Sequence, residues 1–194
     1  MRRFADLYLA LDATTKTNVK VAALAAYFRE VEPQDAAWAT YFLTGRKLKR
    51  AVGTRDLRDA ALLASGLPLW LFEVSYDAVG DLAETISLVL PPSTDSDDRP
   101  LSRWVDEELA PLAALPPAEV QARLVAAWNR LDADARFVFT KLVTGAFRVG
   151  AAKQLVYRGL AEAYEVPVTE VAQRLVGNWT PSPRLPGHLR CGLL

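Results

Sequence analysis

Apolar residues recur at helical spacing along nearly the whole chain. The first segment, 2–13, places Phe4, Leu7, Tyr8 and Leu11 three and four positions apart, as on one face of an amphipathic helix. Because strand-like alternation is absent, we expect an all-α fold of roughly ten to twelve short helices. Further helices are predicted after a cap at Thr17, from Pro33 to Gly45, and from a cap at Thr54 to Gly66. Others are predicted at about 68–78 and 80–90, from Pro116-Pro117 through Leu131, from a cap at Asp132 to about Val143, and at about 149–164 and 168–177.

One acidic segment, from Pro91 to Asp98, breaks the helical pattern. It has no apolar periodicity and is rich in Pro, Ser, Thr and Asp, which is typical of an exposed linker. We therefore expect two lobes, at about 1–90 and 101–181, joined by a linker at 91–100.

A short phrase occurs in both predicted lobes. Leu43-Thr44-Gly45-Arg46-Lys47 lies in the first, and Val143-Thr144-Gly145-Ala146-Phe147-Arg148 lies in the second. The two Thr-Gly pairs are 100 residues apart, and each follows an aromatic-rich apolar helix and precedes a basic helix. This repetition predicts that the two lobes are pseudo-symmetric.

Composition limits the possible functions. The 194 residues are 51% apolar and 24% charged, and 23 basic residues balance 23 acidic ones, so any binding of nucleic acid depends on a local patch. One Cys and one His exclude a disulfide framework, a Cys-based zinc site and a multi-His metal site within this sequence. The sequence shows no secretory signal and no apolar run of the roughly 18 residues that span a bilayer, so a cytoplasmic protein that does not contact membranes is predicted.

Three common catalytic signatures are absent from the sequence. It has no Gly-x-x-x-x-Gly-Lys phosphate loop, no Gly-x-Gly-x-x-Gly fingerprint and no Gly-x-Ser-x-Gly elbow. A Ser-His-Asp triad could use only His188, which lies in a Pro/Gly-rich tail. Three carboxylates at helical spacing, Asp77, Asp81 and Glu84, are predicted to be solvated or to cap a helix.

Basic residues are concentrated between 41 and 60. Asp56 and Asp59 are the acidic residues that oppose them there. Such a patch suits phosphate binding, and it equally suits a solvated helix surface. The cations are Arg46, Lys47, Lys49, Arg50, Arg55 and Arg58.

The glycines of the two phrases also allow two interpretations. A Gly after an apolar helix is commonly a C-cap, but it also lets a phosphate approach backbone N–H groups at the start of the next helix. Such contacts depend on shape and charge and do not identify bases. The candidate DNA-binding residues are Thr44, Gly45, Arg46, Lys47, Lys49, Arg50, Lys141, Thr144, Gly145, Arg148, Gly150 and Lys153.

Four phrases resemble the N-terminal DNA-binding domain of bacterial ATP-dependent DNA ligases of the cisplatin damage response type. The resemblance covers about 1–181 and implies an all-helical, two-lobed, pseudo-symmetric domain. It also implies that this domain grips the minor groove of duplex DNA on both sides of a nick. The phrases are Tyr41-Phe42-Leu43-Thr44-Gly45-Arg46, the stretch from Tyr76 to Thr85, Pro100-Leu101-Ser102, and the stretch from Lys141 to Gly150.

The resemblance implies a longer enzyme in which one domain binds DNA and a later domain catalyses the reaction. Such ligases adenylate a Lys-x-Asp-Gly lysine in a later nucleotidyltransferase domain, use ATP and Mg²⁺, carry an OB domain, and act in DNA repair, recombination and replication. No Lys of this sequence is followed by x-Asp-Gly. The chain alone is therefore expected to hold no cofactor, to seal no nick, and to bind DNA as a nucleoid-associated monomer.

The last residues, 182–194, do not resemble the ligase family. They contain His188 and Cys191, the single His and the single Cys of the sequence. We hypothesise a truncated gene product or a frame-shifted end.

Two other functions stay open from the sequence. The first is a helical scaffold that binds another protein, with 41–60 as a solvated surface. The second is a helical enzyme such as a glycosylase, for which the sequence offers no catalytic constellation.

Overall fold

The computed structural model describes residues 1–48, 52–93, 97–177 and 179–181. These ranges contain eleven α-helices and no strand, which confirms the predicted all-α fold. None of the helices in these ranges is both long and apolar enough to cross a membrane. The helices are α1 (Arg2–Asp12), α2 (Thr17–Glu30), α3 (Pro33–Leu43), α4 (Thr54–Ser65), α5 (Leu69–Val79), α6 (Leu82–Val89), α7 (Leu101–Trp104), α8 (Pro117–Trp128), α9 (Ala133–Thr144), α10 (Lys153–Tyr164) and α11 (Val168–Arg174).

The N-cap positions of two helices differ from the predicted ones. Thr17 and Thr54 are the first residues of α2 and α4, and Lys16 and Gly53 occupy the cap positions. At α4 a different bond stabilises the helix start, because the carboxylate of Asp56 accepts from the N–H of Gly53 at 3.3 Å. The caps are thus one residue earlier than the hydroxyl residues suggested.

A helical segment between 101 and 114 was not predicted. After α7 the chain continues through one π-helical stretch (Val105–Leu109) and one 3₁₀ stretch (Ala110–Ala114). The apolar periodicity is concealed there because Glu108 occupies a core position, with 7% of its surface exposed, and Pro111 interrupts the helix.

The described chain divides into two units that differ from the predicted lobes. Unit 1 comprises Met1–Arg2 and Lys47–Phe147, and unit 2 comprises Arg3–Arg46 and the described residues from Arg148 onward. The described residues of the predicted linker, 91–93 and 97–100, therefore lie inside unit 1 and do not separate the units. The tail predicted at 182–194 lies outside the described residues. The division runs through the two Thr-Gly phrases, since the chain leaves unit 2 after Arg46 and returns to it after Phe147.

Unit 1 is built around two tryptophans. Helix α4 packs against α8, and α6 packs against α9. Trp104 and Trp128 are fully buried, and the ring of Phe139 meets the ring of Trp104 edge-on at 5.6 Å. The indole N–H of Trp128 donates to the hydroxyl of Thr140 at 3.0 Å, so the buried polar atom of this side chain is satisfied.

A buried arginine joins the helix ends of unit 1. Arg136 is 2% exposed, and its guanidinium donates to the carbonyls of Leu90, Pro91, Trp128 and Leu131. These carbonyls lie just beyond α6 and at the end of α8, where the helix dipoles are negative. Burial lowers the pKa of Arg136, and the carbonyl contacts compensate the desolvated charge.

A second arginine cluster supports the π-helical stretch. The carboxylate of Glu108 accepts from Arg99, Arg123 and Arg130 at 2.7 to 3.2 Å. Burial alone would raise the pKa of Glu108, but these bonds hold it below its ordinary value. These guanidinium groups thus stabilise the fold of unit 1.

Unit 2 combines helices from both ends of the described chain. Helix α10 packs against α2, α3 and α11. Gly159 of α10 lies so close to Leu24 of α2 that a Cβ atom at this glycine would collide with the Cβ of Leu24. From α1, the ring of Phe4 lies 6.3 Å from the rings of both Tyr27 and Phe42.

Candidate nucleic-acid interface

The helices before the two Thr-Gly pairs end with the same bonds. Thr40 in α3 and Thr140 in α9 are buried, and each hydroxyl donates to the carbonyl four residues earlier, at 2.7 and 2.8 Å. The hydroxyls of Thr44 and Thr144 each donate to the carbonyl three residues earlier, at 3.1 and 3.0 Å. The repeated phrase therefore corresponds to a repeated helix ending.

Both glycines of the Thr-Gly pairs have left-handed backbone conformations. Gly45 has φ +83° and Gly145 has φ +66°, which glycine adopts at little cost. Gly145 is the C-cap of α9, and Gly45 follows the C-cap residue Thr44. The Cδ atom of Lys47 lies 3.5 Å from where a Cβ of Gly145 would be, so a lysine from the first phrase covers the second glycine.

Arg46 is used inside unit 2. Its guanidinium donates to the carbonyl of Gly177 and lies 4.9 Å from the ring centre of Trp179, which meets the ring of Tyr41 at 5.7 Å. A cation over an indole ring is favourable. Arg46 therefore attaches the segment after α11 to the end of α3.

Lys141 is likewise held inside unit 1. Its ammonium group pairs with Asp81 and lies 5.2 Å from the ring centre of Phe137, and 14% of the side chain is exposed. Asp81 is the N-cap of α6 and accepts from the N–H of Glu84 at 3.0 Å, as the predicted capping role requires. Burial alone would raise the pKa of Asp81, but the bonds from Lys141 and Glu84 lower it.

The segment after the second Thr-Gly pair is arranged differently. Arg148 has an exposed side chain, and its guanidinium makes no ion pair with any described residue. The backbone carbonyl of Arg148 accepts from the hydroxyl of Tyr8 at 3.0 Å, and the carbonyl of Gly150 accepts from the ammonium group of Lys20. Lys153, at the start of α10, is exposed, with its Nζ atom 5.4 Å from the ring centre of Tyr157.

Other cations of the predicted basic patch have acidic neighbours. Arg55 lies 3.8 Å from Asp59, and Arg58 lies 3.5 Å from Asp59 and 3.9 Å from Glu73. Lys49 and Arg50 lie outside the described residues. The patch at 41–60 is thus partly neutralised where the structure describes it.

The candidate residues are shared between the two units. Unit 1 contains Lys47, Lys141, Thr144 and Gly145. Unit 2 contains Thr44, Gly45, Arg46, Arg148, Gly150 and Lys153. Sequence reasoning missed Tyr8 and Lys20, which contact residues 140 and 130 positions away, because no local spacing signals such long-range bonds.

Comparison with known proteins identifies the family. The model of the DNA ligase N terminus matches residues 1–161, a range that includes both Thr-Gly phrases. A probable DNA ligase of Koribacter versatilis (strain Ellin345) is 27% identical over 187 residues, which are 92% of this chain and 32% of that protein. The chain thus spans about a third of the length of this curated relative. From the match of the family model, the chain belongs to the DNA ligase N-terminus family.

Proposed function

We propose that this chain is the DNA-binding region of an ATP-dependent DNA ligase and that it holds nicked duplex DNA through phosphate contacts. The observation that carries the proposal is the Arg148–Gly150 segment. It presents an exposed guanidinium, while its carbonyls at Arg148 and Gly150 are bound by side chains of the protein. An exposed cation on a fixed backbone segment suits a phosphate better than a base edge.

The chemistry around this segment suits an anion. Among the described residues, no acceptor is bound by the backbone N–H groups from Val149 to Lys153. Helix α10 begins at Lys153, and the positive end of its dipole adds to the charge of Arg148. Because Arg46 and Lys141 are bound within their units, we place the main phosphate contact at the second phrase.

In a full-length ligase this region would contribute by positioning DNA. Keeping the 3′ hydroxyl and the 5′ phosphate beside a catalytic domain reduces the entropy lost on the way to the transition state. ATP and Mg²⁺ would act at the nucleotidyltransferase domain, since these 194 residues hold no Lys-x-Asp-Gly motif. We further propose that the full-length enzyme carries an OB domain. Its proposed roles are in DNA repair, recombination and replication.

The experiment is a titration of nicked and intact duplexes of unrelated sequence, followed by fluorescence anisotropy at several salt concentrations. With about four to six phosphate contacts, log affinity falls against log salt with a slope of roughly −4 to −5. We expect little preference for sequence. Affinity that does not respond to salt, or strong preference for one sequence, would contradict the phosphate-binding proposal.

The exposed helix α5 favours a second candidate function, a scaffold that binds protein. Leu69, Trp70 and Val74 of this apolar helix are 46%, 64% and 58% exposed, and Phe72 is its buried residue. The substitution Trp70→Ser is the control for a contribution of this surface to DNA binding. If the chain is mainly a DNA-binding region, this variant keeps the affinity and the salt slope of the wild type. A chain that binds neither duplex leaves the scaffold as the better explanation.

A further inference from the structure

We propose that Tyr8 and Lys20 are positioning residues that fix the Arg148–Gly150 segment for phosphate binding. This inference rests on the proposed DNA-binding function. The two side chains come from α1 and α2, and they bind the carbonyls on either side of Val149. Neither residue would contact DNA in this arrangement, and both would act through the backbone that they hold.

Lys20 is an unusual residue for simple packing. It is 7% exposed, and its ammonium group donates to the carbonyl of Gly150. Burying an ammonium group is costly, and an apolar side chain of similar length would fill the space without that cost. The charge has a use at this place, because a carboxylate oxygen of Asp12 lies 3.8 Å from where a Cβ of Gly150 would be. The ammonium group of Lys20 offsets that negative charge beside the segment that we propose to meet phosphate.

Tyr8 supplies the matching bond two residues earlier. It is 6% exposed, and its hydroxyl donates to the carbonyl of Arg148 at 3.0 Å. With this bond and the bond from Lys20, two carbonyl oxygens of the segment are occupied by the protein's own donors. A carbonyl oxygen carries partial negative charge, so binding it inside the protein removes a source of repulsion toward a phosphate.

The two side chains bind a segment that has no regular secondary structure of its own. The residues between α9 and α10, from Gly145 to Ala152, lie outside the regular helices. A segment that is already fixed loses less conformational entropy when it binds a ligand. The two side chains would therefore raise DNA affinity through preorganisation as well as through electrostatics.

The test compares two tyrosines of unit 2. Tyr8→Phe removes the hydroxyl that binds Arg148, and Tyr164→Phe removes a hydroxyl that donates to the carbonyl of Phe28 at 3.3 Å. Both residues are nearly buried, at 6% and 9% exposure, so they are matched in surroundings. Tyr8→Phe should lower affinity for nicked duplex by about 3- to 10-fold, the effect of one hydrogen bond. Its salt slope should not change, and Tyr164→Phe should bind as the wild type does.

Lys20 gives a second series. Lys20→Met should lower affinity by roughly 10-fold or more, and Lys20→Arg should restore part of it because a guanidinium can also donate to the carbonyl of Gly150. Circular dichroism at the binding temperature shows that each variant is folded. If Lys20→Met does not fold, the tyrosine pair still decides.

Arg148→Ala separates failure of the inference from failure of the proposed function. Equal affinities for folded Tyr8→Phe and Tyr164→Phe overturn the positioning role. If Arg148→Ala still weakens binding in that case, the DNA-binding proposal stands alone. If Arg148→Ala binds like the wild type, the phosphate contact at this segment and the positioning role are both overturned.

Discussion

The segments that follow Thr44-Gly45 and Thr144-Gly145 begin from the same helix ending and then use their arginines in opposite ways. Arg46 comes directly after its glycine and is bound to the carbonyl of Gly177 and the ring of Trp179. Arg148 comes three residues after its glycine, and its side chain is exposed while its carbonyl is bound. The repeated phrase therefore predicts the backbone of the helix end but not the role of the nearby cation.

The position three residues before each Thr-Gly pair has a similar role in the two units, with different chemistry. Tyr41 of α3 meets the ring of Trp179, whereas Lys141 of α9 pairs with Asp81. These two residues are 100 positions apart and occupy the same place relative to their helix ends. In both helices this residue fastens a neighbouring segment of its own unit, by ring contact in one case and by an ion pair in the other.

The largest effect is expected from alanine at the two glycines. Gly45→Ala and Gly145→Ala should each lower the free energy of unfolding by about 1–2 kcal/mol, because alanine is strained at positive φ. No clash adds to this cost, since a Cβ at Gly45 meets no described atom within 4 Å and a Cβ at Gly145 makes an ordinary contact with Lys47. Urea unfolding measures both values.

Asparagine serves as the control for the glycine pair, because it tolerates the left-handed region better than alanine. Gly45→Asn and Gly145→Asn should lose less stability than the alanine variants. DNA affinity should fall at Gly145 and not at Gly45, and Gly145→Val should give the larger loss. Equal DNA affinities for the two folded alanine variants would remove the distinction between the two phrases.

The next effect concerns the exposed arginine. Arg148→Ala should weaken DNA binding by about 1–2 kcal/mol and flatten the salt slope by roughly one unit, because one phosphate contact is lost. Arg158, an exposed arginine of α10, provides a matched control for general loss of charge. If Arg158→Ala and Arg148→Ala have the same small effect, then Arg148 acts only through the overall charge.

The fold could be predicted from the sequence where the signals are local. Pro33 opens α3, Gly66 follows the end of α4, and the Asp132 carboxylate caps α9 by accepting from Ala135 at 2.8 Å. Each of these signals acts within one helical turn. The preferences of single residues for helix ends are therefore sufficient to predict them.

Long-range packing could not be predicted in this way. The division into units depends on the packing of α10 against α2, which a linker-based argument does not reveal. Helix α10 begins at Lys153 and not near 149, and the carbonyls of Arg148 and Gly150 are bound by side chains from α1 and α2. The sequence thus indicated the candidate site through Gly145 and Arg148. It did not indicate Tyr8 and Lys20, which hold the segment.

A smaller effect tests the other arginine. Arg46→Ala should lower the free energy of unfolding by about 0.5–1.5 kcal/mol, because one hydrogen bond and one cation–ring contact are lost. Its DNA salt slope should change less than that of Arg148→Ala. Thermal unfolding followed by tryptophan fluorescence reports the change, since Trp179 lies against the guanidinium. A larger loss of DNA affinity for Arg46→Ala than for Arg148→Ala would reverse the comparison.

The smallest effect concerns the ion pair between Lys141 and Asp81. Lys141 occupies the position in α9 that Tyr41, with its ring contact, occupies in α3. Because the pKa of Asp81 is lowered in the folded chain, the stabilisation is present above the unfolded pKa of about 4 and is lost as the pH falls through the folded pKa. Asp81→Asn keeps an N-cap oxygen for Glu84 and removes the charge, so the loss at neutral pH should stay below about 1 kcal/mol for this partly exposed pair. The measurement is the difference in unfolding free energy between wild type and Asp81→Asn, from pH 7 to pH 3. This difference should shrink on acidification, and a difference that is constant over this range would show that Lys141 does not stabilise the fold through Asp81.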